Sequence, residues 1–145
     1  MDTVLEAVRV GKQVSSPEGT LAILSDVSVA IGRGESVAIM GASGAGKSTL
    51  LALLAGLDEP TAGTVHLAGS DLTALDEDGR AAVRARHVGF VFQSFHLLPS
   101  LTALENVMLP LELAQRGDAR KDALEVLDRV GLAGRVGRYP RQLSG

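Results

Sequence analysis

The chain has 145 residues, a length that fits one modest domain. Its 14 basic and 17 acidic side chains give a net charge of −3, which argues against a nucleic-acid partner held mainly by phosphate contacts. It has no cysteine, which excludes disulfides, thiolate metal sites and cysteine nucleophiles and is compatible with a reducing cytosol. No signal peptide is evident, and the longest apolar run, 50–57, is too short to span a membrane, so we expect a chain that is soluble by itself.

The N-terminal part of the chain is predicted to be rich in β-strands. A loose alternation of apolar and polar residues predicts a strand over 4–10, and a loop is expected over 12–19. Two short apolar runs, 27–31 and 36–40, flank a Gly-Arg-Gly turn and predict two more strands. The second of these runs is nearly all apolar, as in a buried parallel strand.

The middle of the chain mixes predicted helices and strands. The run 47–57 is apolar on nearly every side and predicts a buried helix. Further along, 64–67 alternates like a strand, and 88–92 is a second candidate for a buried strand. Between them, 76–86 has acids in its first turn and arginines in its last, which complements the dipole of a helix.

The C-terminal part of the sequence is predicted to be mostly helical. Thr102 and Glu105 match the capping box that satisfies the free backbone donors at a helix start, and 118–130 predicts a second helix that ends at Gly131. The predicted organisation is a core over about 1–97 and a helical subdomain over about 98–145.

A glycine-rich loop between a predicted strand and a predicted helix carries the chemistry. Residues 41–48, Gly-Ala-Ser-Gly-Ala-Gly-Lys-Ser, fit the phosphate-loop pattern G-x-x-x-x-G-K-[ST] in full. Its glycines allow successive N–H groups to point at phosphate oxygens, and the helix N-terminus that follows adds positive charge. Lys47 is predicted to bridge the β- and γ-phosphates, and the Ser48 hydroxyl to bind Mg²⁺. The predicted residues for ATP and Mg²⁺ are Gly41, Ala42, Ser43, Gly44, Ala45, Gly46, Lys47, Ser48 and Thr49.

The sequence as a whole resembles the nucleotide-binding subunit of ABC transporters. The resemblance covers essentially the whole chain, and its motifs are the stretches 37–51, 56–63, 87–95, 97–99, 104–107 and 142–145. Within that family the sequence is similar to the ATPases of lipoprotein release and macrolide-type export, and nearest to the YbbA-type subunits. This resemblance implies an α/β P-loop ATPase fold with an N-terminal antiparallel β subdomain, parallel core strands and an inserted helical subdomain, the sheet being incomplete in this chain.

The resemblance also assigns roles outside the phosphate loop. Gln93 stands where the family's Q-loop glutamine senses Mg²⁺ and the γ-phosphate, which makes it, with Lys47, a catalytic candidate and, with Ser48, a metal-site candidate. Ser144 and Gly145 match the start of the family signature, which contacts ATP bound to the opposite protomer and implies a head-to-tail dimer. Val14 takes the place of the aromatic residue that usually stacks on adenine. A valine covers the base without stacking, so weaker and less base-selective binding is expected.

The family implies partners and a location as well. They are an integral membrane permease subunit of the FtsX type, a second ATP-binding subunit, and a cytoplasmic position, peripheral on the inner face of the cytoplasmic membrane. The sequence stops at Gly145, whereas the family continues with an Asp-Glu strand, a D-loop and a switch histidine. Because those groups hold Mg²⁺ and polarise the attacking water, the intact family hydrolyses ATP while this chain alone is expected to be inactive. His66, His87 and His96 are interpreted as ordinary structural or surface histidines.

Two functions remain open from the sequence. The first is an ATPase subunit, of which this chain is a part, that couples ATP binding and hydrolysis to a membrane partner. The second is a regulatory module that binds nucleotide without hydrolysing it. A GTPase switch or a small-molecule kinase is a weaker alternative, because no Asn-Lys-x-Asp motif and no lid arginine cluster occur; Arg80, Arg84 and Arg86 are expected to cap the C-terminus of their own helix.

Overall fold

The computed structural model describes residues 2–93 and 96–143, which divide after Phe90 into two compact units. The first unit contains β1 (Thr3–Ser16), β2 (Gly19–Gly32), α1 (Lys47–Leu54), β3 (Ala62–Leu67), β4 (Ser70–Asp71) and α2 (Glu77–His87). The second unit contains α3 (Ala103–Leu113) and α4 (Ala119–Arg129). Short 3-10 turns lie at Leu72–Ala74, Ala133–Arg135 and Pro140–Gln142. No helix in the described residues is long and apolar enough to cross a bilayer.

The first unit is built on a four-stranded antiparallel sheet in the order β2-β1-β3-β4. The strands predicted at 4–10, 27–31 and 64–67 are confirmed within β1, β2 and β3. The predicted loop at 12–19 is wrong, because β1 continues to Ser16 and forms a hairpin with β2, in which Val14 pairs with Leu21. The tip of this hairpin is exposed on both faces, so it lacks the alternation of burial from which a strand is recognised.

A β-bulge in β1 determines how closely β3 can approach it. Arg9 has a φ of 50°, and the register of β1 shifts between Val8 and Gly11 against β3. Gly63, with a φ of 80°, lies so near the bulge that a Cβ atom there would be 2.3 Å from the Arg9 carbonyl oxygen. Glycine is therefore required at this position of β3.

Helix α1 packs its apolar side chains on the sheet. Leu53 of α1, Val10 of β1 and Val65 of β3 are the largest fully buried side chains in the unit, and burial of each stabilises the fold by roughly 1.5–3 kcal/mol. The helix predicted at 47–57 is confirmed as far as Leu54. The chain then turns at Gly56, which has a φ of 72°.

The segments 36–40 and 88–92, which were predicted as buried strands, are not strands in the structure. Met40 is 89% exposed and Val37 is also exposed. An apolar run predicts burial, but a strand also requires a neighbouring strand whose backbone pairs with it. The sheet that the described residues form is the antiparallel one, and it includes neither segment.

The helix predicted at 76–86 is confirmed as α2. Two of its arginines, however, form hydrogen bonds with partners other than the C-terminal carbonyls of the helix. Arg80 is only 6% exposed, and its guanidinium donates to Glu59 Oε1 at 2.5 Å, to Glu77 Oε2 at 3.0 Å and to the Leu75 carbonyl at 2.7 Å. Arg84 donates to the Gly56 carbonyl and to Glu77 Oε1. Both side chains therefore hold the segment that follows α1, and the prediction that they cap the end of α2 is wrong.

The second unit is a helical hairpin with its own small core. Ala103 and Leu104 of α3 pack against Ala123 and Leu127 of α4. The predicted capping box is confirmed, since Thr102 and Glu105 each accept the other's backbone N–H through their side chains. The predicted helix at 118–130 is confirmed as α4, with Asp118 as its N-cap.

Candidate functional site

The glycine-rich loop runs directly into the N-terminus of α1. Gly44 and Gly46 have φ angles of 81° and 86°, in the left-handed region that glycine adopts without strain. Gly46 is the N-cap of α1, and no side chain of the described residues caps this end of the helix. The first N–H groups of α1 are therefore left to bind a ligand, and the helix dipole favours an anionic one.

Lys47 is held over this loop by the loop's own backbone. Its Nζ atom donates to the carbonyl of Gly41 and, at 2.9 Å, to that of Ala42. The loop is also tightened by the N–H of Ala45, which donates to the Ala42 carbonyl at 3.1 Å. Because an ammonium has three N–H donors, Lys47 keeps one for a phosphate oxygen. Ser48 is exposed in the same turn of α1.

Strand β2 forms a wall beside the loop. A Cβ atom on Gly46 would be 2.9 Å from Leu24 Cδ2 and 3.0 Å from the Ile23 carbonyl oxygen. Ile23 and Leu24 were not predicted as site residues, because the loop wrongly predicted at 12–19 hid the hairpin to which they belong. The available signal was the apolar alternation at Leu21 and Ile23.

The hairpin also carries Val14. Val14 of β1 is 37% exposed and pairs with Leu21 of β2, which is 61% exposed. Leu21 precedes Ile23 by two residues, a distance of about 7 Å along a strand. Val14 and Leu21 thus form an exposed apolar pair across the hairpin. The pair lies close, along β2, to the residues that adjoin Gly46.

The segment after α1 is fixed by a cluster of charges. Lys12 Nζ donates to Asp58 Oδ1 at 3.1 Å and to the Glu59 carbonyl at 2.7 Å. Burial raises the pKa of Asp58, but the hydrogen bonds from Lys12 and from the backbone of Glu59 outweigh it and hold this pKa below its usual value. With Arg84 bound to the Gly56 carbonyl, the end of α1 is clamped from β1 and from α2.

The remaining predicted site residues lie outside the first unit. Gln93 is exposed and belongs to the second unit, and Ser144 and Gly145 lie outside the described residues. In 2–93 and 96–143, no group of three or more histidine, aspartate or glutamate residues is arranged to hold a metal ion. The Ser48 hydroxyl fits Mg²⁺, an ion that takes one or two protein ligands and completes its shell with phosphates and water.

Comparison with known proteins identifies the family. The sequence profile described as ABC transporter matches residues 24–145. The chain belongs to this family. It is 48% identical to the ABC transporter ATP-binding protein YbbA of Escherichia coli (strain K12), over 99% of the chain and 64% of that protein. It is also 48% identical to the lipoprotein-releasing system ATP-binding protein LolD of Bordetella pertussis, over 97% of the chain and 62% of that protein.

A solved structure gives the same result for the fold. The ATP-binding cassette MJ0796, in a dimeric post-hydrolysis state bound to ADP and Pi, superposes with a TM-score of 0.89 at 41% identity, over 97% of this chain and 63% of that one. This ABC chain therefore has the ATPase cassette fold, and the predicted fold class and LolD/YbbA-like grouping are confirmed. It spans less than two thirds of the length of these relatives.

Proposed function

We propose that this chain is the nucleotide-binding part of an ABC transporter subunit that binds and hydrolyses ATP. The observation that carries the proposal is the position of Lys47, whose ammonium is held over a glycine loop that ends in an uncapped helix N-terminus. Both features favour a polyphosphate, since they offer a fixed positive charge and a row of N–H donors. MJ0796, a similar cassette, was solved with ADP and Pi.

Each residue of the loop has a distinct task in this proposal. The N–H groups of residues 41–49 cradle the phosphates, Lys47 neutralises charge on the β- and γ-phosphates, and Ser48 ligates Mg²⁺. Hydrolysis requires groups that stabilise charge developing on the γ-phosphate and that orient the attacking water. We assign Gln93 to the Mg²⁺ and γ-phosphate of its own protomer, and Ser144 and Gly145 to the ATP bound to the opposite protomer.

The proposed assembly is a dimer of such subunits on a membrane permease of the FtsX type, at the cytoplasmic face of the membrane. The similarity to YbbA and LolD, both named as ATP-binding proteins of transport systems, supports this assembly. The dimeric state of MJ0796 supports the pairing of subunits. In this arrangement the permease selects the transported substrate, while the ATP-binding subunit supplies the energy.

Lys47→Ala in the full-length protein tests the proposal. Loss of a charged hydrogen-bond donor costs about 1.5–3 kcal/mol, so ATP affinity measured with a fluorescent analogue should fall roughly ten- to a hundredfold. Lys121→Ala is the matched control, because Lys121 is exposed on the first turn of α4 and its ammonium forms no hydrogen bond or ion pair within the described residues.

Equal ATP affinities of the two variants would contradict the phosphate-loop assignment. Phosphate release measured on the same samples addresses hydrolysis separately. Full-length protein that binds ATP through Lys47 but releases no phosphate, with or without its permease, would instead identify a regulatory module.

A further inference from the structure

The last seventeen residues of the sequence carry positive charge that no acidic residue among them balances. Residues 129–145 contain four arginines and neither aspartate nor glutamate, although the whole chain has a net charge of −3. The four are Arg129, Arg135, Arg138 and Arg141. All are exposed, and within the described residues their side chains form no hydrogen bond or ion pair. Five arginines elsewhere do have carboxylate partners, namely Arg9, Arg33, Arg80, Arg84 and Arg116.

The backbone that carries these arginines is fixed to the helical unit. Three apolar side chains of the segment pack on the core between α3 and α4, namely Leu132, Val136 and Leu143. The N–H groups of Ala103 and Leu104, at the start of α3, donate to the carbonyls of Arg138 at 2.7 Å and Val136 at 2.9 Å. Arg135 and Arg138 stand at the two ends of one turn, closed by a bond of 3.1 Å between the Arg138 N–H and the Arg135 carbonyl. The arginines thus project from an ordered surface.

The chemistry of this surface fits phosphate groups spread over an area. A guanidinium binds phosphate oxygens through paired N–H donors, and unpaired cations that lie close together repel each other until an anionic surface neutralises them. Tyr139 lies between Arg138 and Arg141 in sequence and is exposed. Its amphipathic ring is of the type that is enriched at the boundary between bilayer and water.

We propose that Arg135, Arg138, Tyr139 and Arg141, here called the arginine surface, dock the helical unit onto anionic phospholipid headgroups. This goes beyond the proposed ATPase function, because it gives the chain a membrane contact of its own in addition to any contact with a permease. A single-stranded nucleic acid fits less well. Such ligands are bound along grooves with successive aromatic residues, whereas this segment has one aromatic residue and the whole chain is acidic.

Vesicle flotation with the full-length protein, free of its permease, tests the proposal. The expected result is binding to vesicles of phosphatidylcholine mixed with phosphatidylglycerol, and no binding to vesicles of phosphatidylcholine alone. Binding should weaken steeply with salt and disappear near 1 M, where the screening length falls to about 3 Å. This arm uses the unmodified protein, so it does not depend on the folding of any variant.

A triple variant, Arg135→Gln, Arg138→Gln and Arg141→Gln, locates the binding. Each basic residue near an anionic surface raises affinity roughly fivefold, so the triple variant should lose affinity on the order of a hundredfold. Arg129 is left unchanged because it lies in the last turn of α4, where a cation stabilises the helix. The matched control removes three exposed basic residues elsewhere that also have no carboxylate partner in the described residues, by Arg86→Gln, Arg120→Gln and Lys121→Gln, and should retain binding.

Four results would overturn the proposal. They are no binding of the wild type to anionic vesicles, equal binding to both kinds of vesicle, wild-type affinity in a triple variant with an unchanged circular dichroism spectrum, or an equal loss in the control. Retention of a single-stranded oligonucleotide without any vesicle binding would assign the surface to nucleic acid. Because Lys47 is not involved, failure here is distinguishable from failure of the ATP-binding proposal, in which Lys47→Ala is the test.

Discussion

Gly46 and Leu24 lie so close that a methyl group on the glycine would come within 2.9 Å of the leucine Cδ2 atom. The contact joins the phosphate loop to β2, and it is made at a backbone with a φ of 86°. Two independent constraints, the space available to a side chain and the backbone conformation, therefore act on Gly46, the N-cap of α1.

Gly46→Ala should destabilise the first unit more than Gly44→Ala does. Both glycines are left-handed, a conformation that costs alanine about 1–2 kcal/mol, but nothing lies within 4 Å of a Cβ on Gly44. The clash at Gly46 should add about 1–3 kcal/mol, as overpacking does. Urea unfolding of the two variants, followed by circular dichroism, measures the difference, and equal losses would show that Leu24 does not confine the loop.

The bond from Arg84 to the Gly56 carbonyl leads to a second prediction. Arg84→Gln should lower the free energy of unfolding by about 1.5–3 kcal/mol, since it removes charged hydrogen bonds to the end of α1 and to Glu77. Arg86→Gln, on the exposed side of the same helix, should change it by less than about 0.5 kcal/mol. If both variants unfold at the same urea concentration, the clamp on α1 contributes nothing.

These two contacts also show what the sequence can and cannot predict. The loop and α1 follow from a contiguous motif, because phosphate binding by a backbone needs glycines and a helix start at fixed spacing. Leu24 and Gly46 are neighbours only after β1 and β2 pair, and that hairpin was missed because its exposed tip lacks alternating burial. The position of Arg84 in the last turn of α2 is already explained by the helix dipole, so nothing in the sequence indicated a distant partner. That partner is the Gly56 carbonyl, 28 residues earlier.

The segments 36–40 and 88–92 were wrongly predicted as strands because strand pairing, too, depends on residues far apart in the sequence. Residues 36–40 are apolar enough for a buried strand, yet strand formation depends on a pairing partner that composition does not reveal. The capping box at Thr102 needs only residues three apart, and it was predicted correctly. Features that depend on residues close together in the sequence could therefore be predicted here, whereas contacts between residues far apart in the sequence could not.

The ion pairs of Glu77 with Arg80 and Arg84 should make the free energy of unfolding depend on pH. Hydrogen bonds from Arg80 and then Arg84 lower the pKa of Glu77 below its usual value of 4.5. A lowered pKa in the folded state means that this stabilisation is fully present above the unfolded pKa and is lost as the pH falls through the lower, folded value.

Glu77→Gln should therefore be less stable than the wild type at neutral pH, and the difference should shrink as the pH falls below 4.5. Thermal unfolding followed from neutral pH to acid pH measures it. Glu125→Gln, exposed on α4, removes the same charge as a control. A difference that stays constant down to strongly acid pH would exclude the charge of Glu77 as its source.

The capping box should be measurable in the helical unit. Thr102→Ala removes the acceptor of the Glu105 N–H and should cost about 1 kcal/mol, whereas Thr102→Ser keeps the hydroxyl and should cost much less. Hydrogen exchange of the first amides of α3 provides a local readout. If alanine and serine give the same protection, the cap does not hold this helix end.

Val14→Tyr tests whether the hairpin is the base-binding surface. Val14 and Leu21 form an exposed apolar pair on the strands beside the phosphate loop, and a valine offers a base contact area without ring stacking. Stacking on an aromatic residue is worth about 1–3 kcal/mol per base, so Val14→Tyr should bind ATP roughly five- to a hundredfold more tightly and should raise the preference for ATP over GTP. Ser16→Tyr, two residues further along the exposed hairpin, adds the same ring at a neighbouring position and should leave ATP affinity unchanged. An unchanged ATP affinity in Val14→Tyr, with Lys47→Ala still impaired, would mean that the base lies elsewhere while the phosphates bind as proposed.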